Sequence, residues 1–281
     1  MDNNSLLRGM LANLAKFQRK VFVLKLSGKV FASPESEIVA SPNFKEIVED
    51  AAHFIFSGIH VVVVLGAQPQ IDKKMADAKI ETPKKDGIRI TPPEAIEHIQ
   101  GVYAKTRPVV AGILSGQECT PNIVWPDNAI IAKPISEEMR RTGEVESVDA
   151  GAFDLFPVLF PDAPKLYFVS SLAKAVDGNF YNINADAVAS AIAIGLQAEK
   201  LIFVSDGPVS NKNASEDFHN LSAGQAQGLI ANQNATDGMI PKLASAILAL
   251  KGGVKSVHVV DYRQFLFNTF FMDGRGTIIE G

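Results

Sequence analysis

Five runs of β-branched and aromatic residues, each bounded by glycine or polar turn residues, predict strands at Val21–Leu26, His60–Leu65, Leu166–Ser170, Leu201–Ser205 and Ser256–Val260. Several are apolar on both faces, as expected for central strands of a largely parallel sheet covered by helices. Stretches of helical character alternate with them at Asn43–Ser57, Pro93–Gly112, Ala185–Leu196, Ala223–Asn232 and Ile240–Lys251. The alternation predicts an α/β chain, a three-layer α/β/α sandwich with a mainly parallel central sheet. Between Asn122 and Asp149 the pattern changes to short extended pieces, Ile123–Trp125 and Ala129–Ala132, with a turn at Thr142-Gly143, which reads as an inserted hairpin near the site. From Tyr181 to Asp206 the chain reads as a polar loop, an alanine-rich helix and a buried strand ending in an aspartate.

Leu6, Leu7, Met10, Leu11, Leu14 and Phe17 recur at three- and four-residue spacing and form one face of an amphipathic helix ahead of the first strand. That face covers either the chain's own domain or a neighbouring subunit.

With 281 residues, 47% of them apolar, the chain can bury a large core. Its single cysteine, Cys119, permits no intramolecular disulfide, which suits a reducing compartment. The first twenty residues lack a signal-peptide pattern and no segment has the apolar length of a membrane span, so a cytoplasmic protein is expected. A net charge of -4, without a basic block, argues against a nucleic-acid partner and for a small molecule.

Candidate chemistry lies where predicted strands end. Lys25 sits inside an apolar strand, where its ammonium needs an anion or carboxylate, unless it points outward at the sheet edge. Ser27 and Gly28 follow, and Gly66 ends the second strand before a helix that could start after Pro69. Glycines in such β-to-α turns let a backbone approach phosphate, and the carboxyl ends of parallel strands are where open sheets bind ligands. The Walker pattern G-x-x-x-x-G-K-[ST] does not occur. Arg89 lies in a short extended piece, suited to a carboxylate or to a surface ion pair. Asn182, Asn184 and Asp186 precede a helix, as caps or as ligand-facing groups. Thr236 to Lys242 is a glycine turn opening a helix, with Lys242 in the first turn, where the helix dipole disfavours it unless an anion is present.

In their order, NINAD, TDGMIPK, GGVKSVHVVDYR and DGRGTII resemble the amino-acid kinase family, in particular its acetylglutamate kinase branch and the related kinase-like domain of acetylglutamate synthases, whereas the KLSG string alone is similar to another member, a uridylate kinase. The resemblance implies two lobes behind an N-terminal helix of residues 1–20: residues 21–178 for an acetylated amino acid, and residues 179–281 for nucleotide. It implies transfer of the γ-phosphoryl of ATP, accompanied by Mg2+, to the side-chain carboxylate of N-acetyl-L-glutamate in arginine biosynthesis, by a homo-oligomer, dimer or hexamer. Lys25, Asp186 and Lys242 would then be catalytic. Gly66, Ala67, Arg89 and Asn182 would bind the acceptor, and Ser27, Gly28, Ser205, Asp206, Asp237 and Gly238 the nucleotide.

The chain departs from the family's usual H-G-G-G-P-Q loop, reading Leu65-Gly66-Ala67-Gln68-Pro69-Gln70, and has Ser27-Gly28 where the first loop carries two glycines. That loop and Arg141 to Val145 look closer to the synthase domain, generally a sensor without kinase activity. The second reading is therefore a non-catalytic regulatory domain. Phe267-Asn268-Thr269 replaces the L-E-L of arginine-sensitive members, which removes a carboxylate for arginine.

Overall fold

The computed structural model describes residues 3–31, 38–85, 88–118, 120–155, 164–212, 217–236, 238–263 and 276–281. In chain order its elements are α1 (Asn3–Phe17), β1 (Val21–Leu26), α2 (Pro42–Phe56), β2 (His60–Leu65), α3 (Gln68–Ala78), β3 (Lys84–Lys85), β4 (Ile88–Arg89), α4 (Ala95–Ala104), α5 (Thr106–Leu114), β5 (Asn122–Val124), β6 (Ile130–Pro134) and β7 (Thr142–Val148). They continue with β8 (Lys165–Ser170), β9 (Leu172–Ala175), β10 (Phe180–Ile183), α6 (Ala185–Gly195), β11 (Lys200–Ser205), β12 (Asn220–Ser222), α7 (Ala223–Ala231), α8 (Ile240–Lys251), β13 (Ser256–Asp261) and β14 (Thr277–Glu280).

Eight strands form one sheet in the order β12-β14-β13-β11-β1-β2-β8-β5. Every pairing is parallel except that of β13 with β14. The all-buried runs VFVLKL and SVHVVD lie inside it, as continuous apolar strands of a doubly covered sheet must. Alternation along β1 divides its side chains between two cores. Val21 and Val23 join the cluster that holds Val188, Ala189 and Ile192 of α6, whereas Phe22, Leu24 and Leu26 join that of Phe44, Ile47 and Phe54 of α2. Small residues on α6 keep it close to the sheet, and Ser190 Oγ donates to Ser245 O of α8 at 2.8 Å, fastening the two helices.

Beside the sheet, β6, β7, β9 and β10 close into a small barrel. It corrects several expectations. Asn122–Val124 is not an arm of an inserted hairpin but the edge strand of the large sheet, pairing with β8. Thr142 and Gly143 begin a strand rather than a turn, and the polar loop expected at Tyr181 is strand β10, paired with β7 and β9. The helix predicted over Pro93–Gly112 is two helices meeting at Lys105, because Pro108 has no N–H to donate to Ala104 and its ring crowds that carbonyl. The N-terminal helix is formed, and Leu14 and Phe17 pack on the chain's own core while Leu11 stays 57% exposed. The side chains of Leu6, Leu7 and Met10, together with Cys119 and Phe267 to Thr269, lie outside the described residues. Trp125 packs stacked on Phe168, ring centroids 5.1 Å apart. No described helix is long and apolar enough to cross a membrane.

Gly143 is where barrel strands approach most closely: a Cβ there would stand 2.7 Å from Tyr181 Cβ and 2.9 Å from Lys133 O. Neither neighbour is a flexible side-chain end, so Gly143→Ala forces the strands apart. We predict a loss of about 1–3 kcal/mol in urea unfolding; a variant as stable as the parent would contradict this packing.

His258 on β13 is 8% exposed, and one ring nitrogen lies 3.2 Å from Ser256 Oγ. Burial, then the charge of Lys200, pushes its pKa down to about 3. The fold thus favours neutral histidine, and its contribution to stability is fully present above the unfolded-state value near 6.5 and is lost as pH falls toward the folded value. Between pH 6.5 and 4.5 the parent should lose urea stability more steeply than His258→Gln, by up to about 1.4 kcal/mol per pH unit. Parallel pH profiles would show that the histidine is not held neutral.

Candidate functional site

The carboxyl ends of four adjacent parallel strands, β11, β1, β2 and β8, open onto one cavity of about 700 Å³. Ser27, Gly66, Ser171, Ser205 and Asp206, at or just past those strand ends, all line it. This is the position at which an open parallel sheet gathers its β-to-α turns around a ligand.

At its centre lies a buried charge cluster. Lys25 is the third residue of β1 on the face that α6 covers, so its side chain runs inward toward the first turn of that helix instead of out past the sheet edge. Its Nζ stands 2.8 Å from Asp186 Oδ1, and Lys242 Nζ stands 3.9 Å from Asp186 Oδ2. The three side chains are 9%, 8% and 13% exposed. Asn184 caps α6, its Oδ1 accepting from the Asp186 N–H at 2.7 Å, and this frees the aspartate to face the lysines. Burial drives the Asp186 pKa upward, but the charges of Lys25 and Lys242 together outweigh it and hold the carboxyl below its usual range. Lys242 is pushed down, first by burial and further by Lys25, against the pull of Asp186. One carboxylate therefore faces two ammonium groups, and the cluster has positive charge to spare for an anion.

Two glycines shape the wall beside it. A Cβ on Gly28 would come within 2.7 Å of Pro69 Cδ and 2.8 Å of Gln70 Oε1, and one on Gly66 within 2.8 Å of Leu26 O. Gln70, 2% exposed, donates from Nε2 to Gly28 O at 2.8 Å and ties the two turns together. Ala67 precedes α3 as its N-cap, with Pro69 in the first turn.

Arg89 reaches the cavity from β4, 8% exposed, paired with Asp72 of α3 and donating to Thr82 Oγ1 at 2.7 Å. Asn182 on β10 donates to Thr91 Oγ1 at 3.1 Å. Thr142 Oγ1 in turn donates to Arg89 O at 2.5 Å and accepts from the Thr91 N–H at 3.0 Å. The barrel and the arginine are thereby fixed to one another through buried threonines. On the opposite side Lys29 Nζ bonds Asp206 Oδ2 at 2.5 Å, and Ser205 Oγ donates to Asp206 Oδ1 at 3.0 Å. Asp206 is exposed to burial that raises its pKa, yet these bonds bring it down to about 2. Arg263 donates to Asp206 O at 2.9 Å and pairs with Asp261.

The structure brings Lys25, Ser27, Gly28, Gly66, Ala67, Arg89, Asn182, Asp186, Ser205, Asp206, Gly238 and Lys242 to this single cavity. Asp237 lies outside the described residues. Sequence reasoning passed over Lys29, Asp72, Tyr103, Thr142 and Ser171, which also line it. Ser171 carried a usable signal, since it follows directly on a predicted buried strand. Asp72 and Tyr103, on helices, carried none.

Comparison with known proteins follows the same lines. The model of the amino acid kinase family matches residues 20–261. An acetylglutamate kinase of Methanocorpusculum labreanum is 32% identical over 99% of this chain and 97% of its own length, and one of Rhizobium johnstonii is 30% identical over 98% and 96%. Among solved structures, an N-acetylglutamate synthase from Neisseria gonorrhoeae complexed with coenzyme A and N-acetyl-glutamate superposes with a TM-score of 0.86 at 23% identity, all of this chain spanning 64% of the synthase. A carbamate kinase from Giardia lamblia bound to AMP-PNP gives 0.64 at 13% identity, over 93% of this chain and 98% of its own. The last two establish fold alone; the family model and the near-full-length relatives establish that this chain belongs to the amino acid kinase family.

Proposed function

We propose that this protein is an acetylglutamate kinase, transferring the γ-phosphoryl group of ATP to the side-chain carboxylate of N-acetyl-L-glutamate. The observation that carries the reading is the intact, solvent-shielded Lys25–Asp186–Lys242 cluster at the sheet's carboxyl edge. Its support is the near-full-length likeness to proteins named acetylglutamate kinase. In the transfer, a carboxylate oxygen of the acceptor forms a bond to phosphorus as the bond from phosphorus to the β,γ-bridging oxygen breaks, giving an acyl phosphate and ADP. A carboxylate is already ionised at neutral pH and requires no general base. The demand falls on positioning and on charge around the equatorial oxygens. Lys25 and Lys242 supply that charge, and Asp186 holds both ammonium groups in place without cancelling them.

In this reading residues 21–178 carry the acceptor, near Arg89, Gly66 and Ala67, with Asn182 reaching across to it from the other lobe. Residues 179–281 carry the nucleotide, near Ser205, Asp206, Asp237 and Gly238, with Ser27 and Gly28 reaching across to its phosphates. ATP enters as its Mg2+ complex. Among the described residues no three acidic, histidine or cysteine side chains gather as a ready-made metal site, and Asp186 and Asp206 are already engaged by lysines. That donor set suits a Mg2+ held mainly by phosphate oxygens and water. Cytoplasmic placement, assembly as a homo-oligomer and a role in arginine biosynthesis belong to the same proposal. The regulatory alternative is the weaker one, because a sensor has no use for a lysine pair buried around one carboxylate.

The test is ATP-dependent acyl-phosphate formation on N-acetyl-L-glutamate, trapped as the hydroxamate. The parent should be active, and Lys25→Ala or Asp186→Ala should lose at least about 10²-fold in kcat while circular dichroism still shows folded protein. Full activity in either variant would remove the cluster from the mechanism, and an inactive parent that binds acetylglutamate would turn the assignment toward a sensor.

A further inference from the structure

Two hydroxyl groups in the cavity wall have no part in the chemistry above. Tyr103 on α4 and Ser171, directly after β8, are 7% and 4% exposed, and both line the cavity. Their oxygens stand 2.6 Å apart, with either able to donate. Two hydroxyls carry two O–H protons. One is consumed between the two oxygens, and the described residues give the other no acceptor. A buried donor of this kind costs about 1–3 kcal/mol when left unmet, and one that faces a cavity can be met by an oxygen of whatever occupies it.

Burial pushes the Tyr103 pKa up, and the hydrogen bonds with Ser171, then the positive charge of Arg89, act against it. Ser171 O accepts from the Ile183 N–H at 2.8 Å, one residue from Asn182. Arg89, Asn182 and the hydroxyl pair therefore line neighbouring parts of the cavity wall. A guanidinium fork suits a carboxylate, while an uncharged hydroxyl suits a neutral carbonyl oxygen without competing for the anion.

We infer that Tyr103 and Ser171 together form a specificity-determining element of the acceptor subsite, donating one shared O–H to the amide carbonyl oxygen of the N-acyl group. This rests on the kinase reading proposed above. Because either hydroxyl can supply the proton, loss of one leaves the other to donate, and the two substitutions are strongly non-additive.

The experiment measures KM for N-acetyl-L-glutamate and for ATP in the parent, Tyr103→Phe, Ser171→Ala and the double variant, with calorimetric binding of N-acetyl-L-glutamate alongside. The double variant removes two oxygen atoms and little volume. Each single variant should raise the acceptor KM less than about threefold. The double variant should raise it at least about tenfold, the worth of one hydrogen bond, with KM for ATP unchanged. Tyr103→Phe with Ser171→Thr, which restores one hydroxyl, should return the acceptor KM to the single-variant level. An active parent with an unchanged acceptor KM in the double variant overturns this inference alone, as does an equal rise in both KM values. A parent that neither binds nor phosphorylates N-acetyl-L-glutamate overturns the kinase reading and this inference with it.

Discussion

A single carboxylate, Asp186, buried between two lysines, is the constraint on which the rest of this molecule depends. Removing charges from water is tolerated only where partners compensate, so Lys25 in the middle of the sheet is stable only while α6 presents Asp186 to it. That requirement links three elements far apart in sequence. The alternation of β1 aims Lys25 at α6, the Asn184 cap sets the first turn of α6, and the Ser190–Ser245 bond brings α8 alongside so that Lys242 completes the cluster. One negative charge against two positive leaves a preorganised positive field open to the cavity, which is what the proposed phosphoryl transfer requires.

The flanks of the cavity obey different physics. On one side glycines matter for the volume they leave: the turns of Gly28 and Gly66 touch, and any side chain on either would separate them. On the other, the chain from Asn182 through Thr91 and Thr142 to the backbone of Arg89 spends buried hydroxyls on one another, and so locks the small barrel to the arginine. The Lys29–Asp206 pair is half exposed and contributes little to stability; its place at the cavity rim matters more. A scaffold of this kind holds its polar groups at fixed positions on strand ends, where transfer of a phosphoryl group gains most from positioning.

How far the sequence foretold this varies with the kind of interaction. The strands at Val21–Leu26 and His60–Leu65 were legible to the residue, because burial on both faces requires an unbroken apolar run with a clear end. The demand of Lys25 for a counter-ion was legible too, although its direction was not, since outward and inward placements differ only in which face of the sheet α6 occupies. The barrel escaped because β9 and β10 are four residues each, too short for alternation to stand out, and because NINAD reads as a polar segment although its first two residues end a strand. Arg89 stood out as a cation, but its partner Asp72 lies on α3, and the pair belongs to tertiary structure alone. The hydroxyl pair of Tyr103 and Ser171 joins residues 68 apart, and no local pattern marks it.

A double-mutant cycle on Lys25 and Asp186, read by urea unfolding, tests most directly whether this buried pair holds the site together. The account predicts that Lys25→Met alone costs about 3–5 kcal/mol, by leaving the carboxylate short of a partner, and that Lys25→Met with Asp186→Leu costs much less than the sum of the single changes. Two small, additive losses, each below about 1 kcal/mol as for an exposed ion pair, would contradict it.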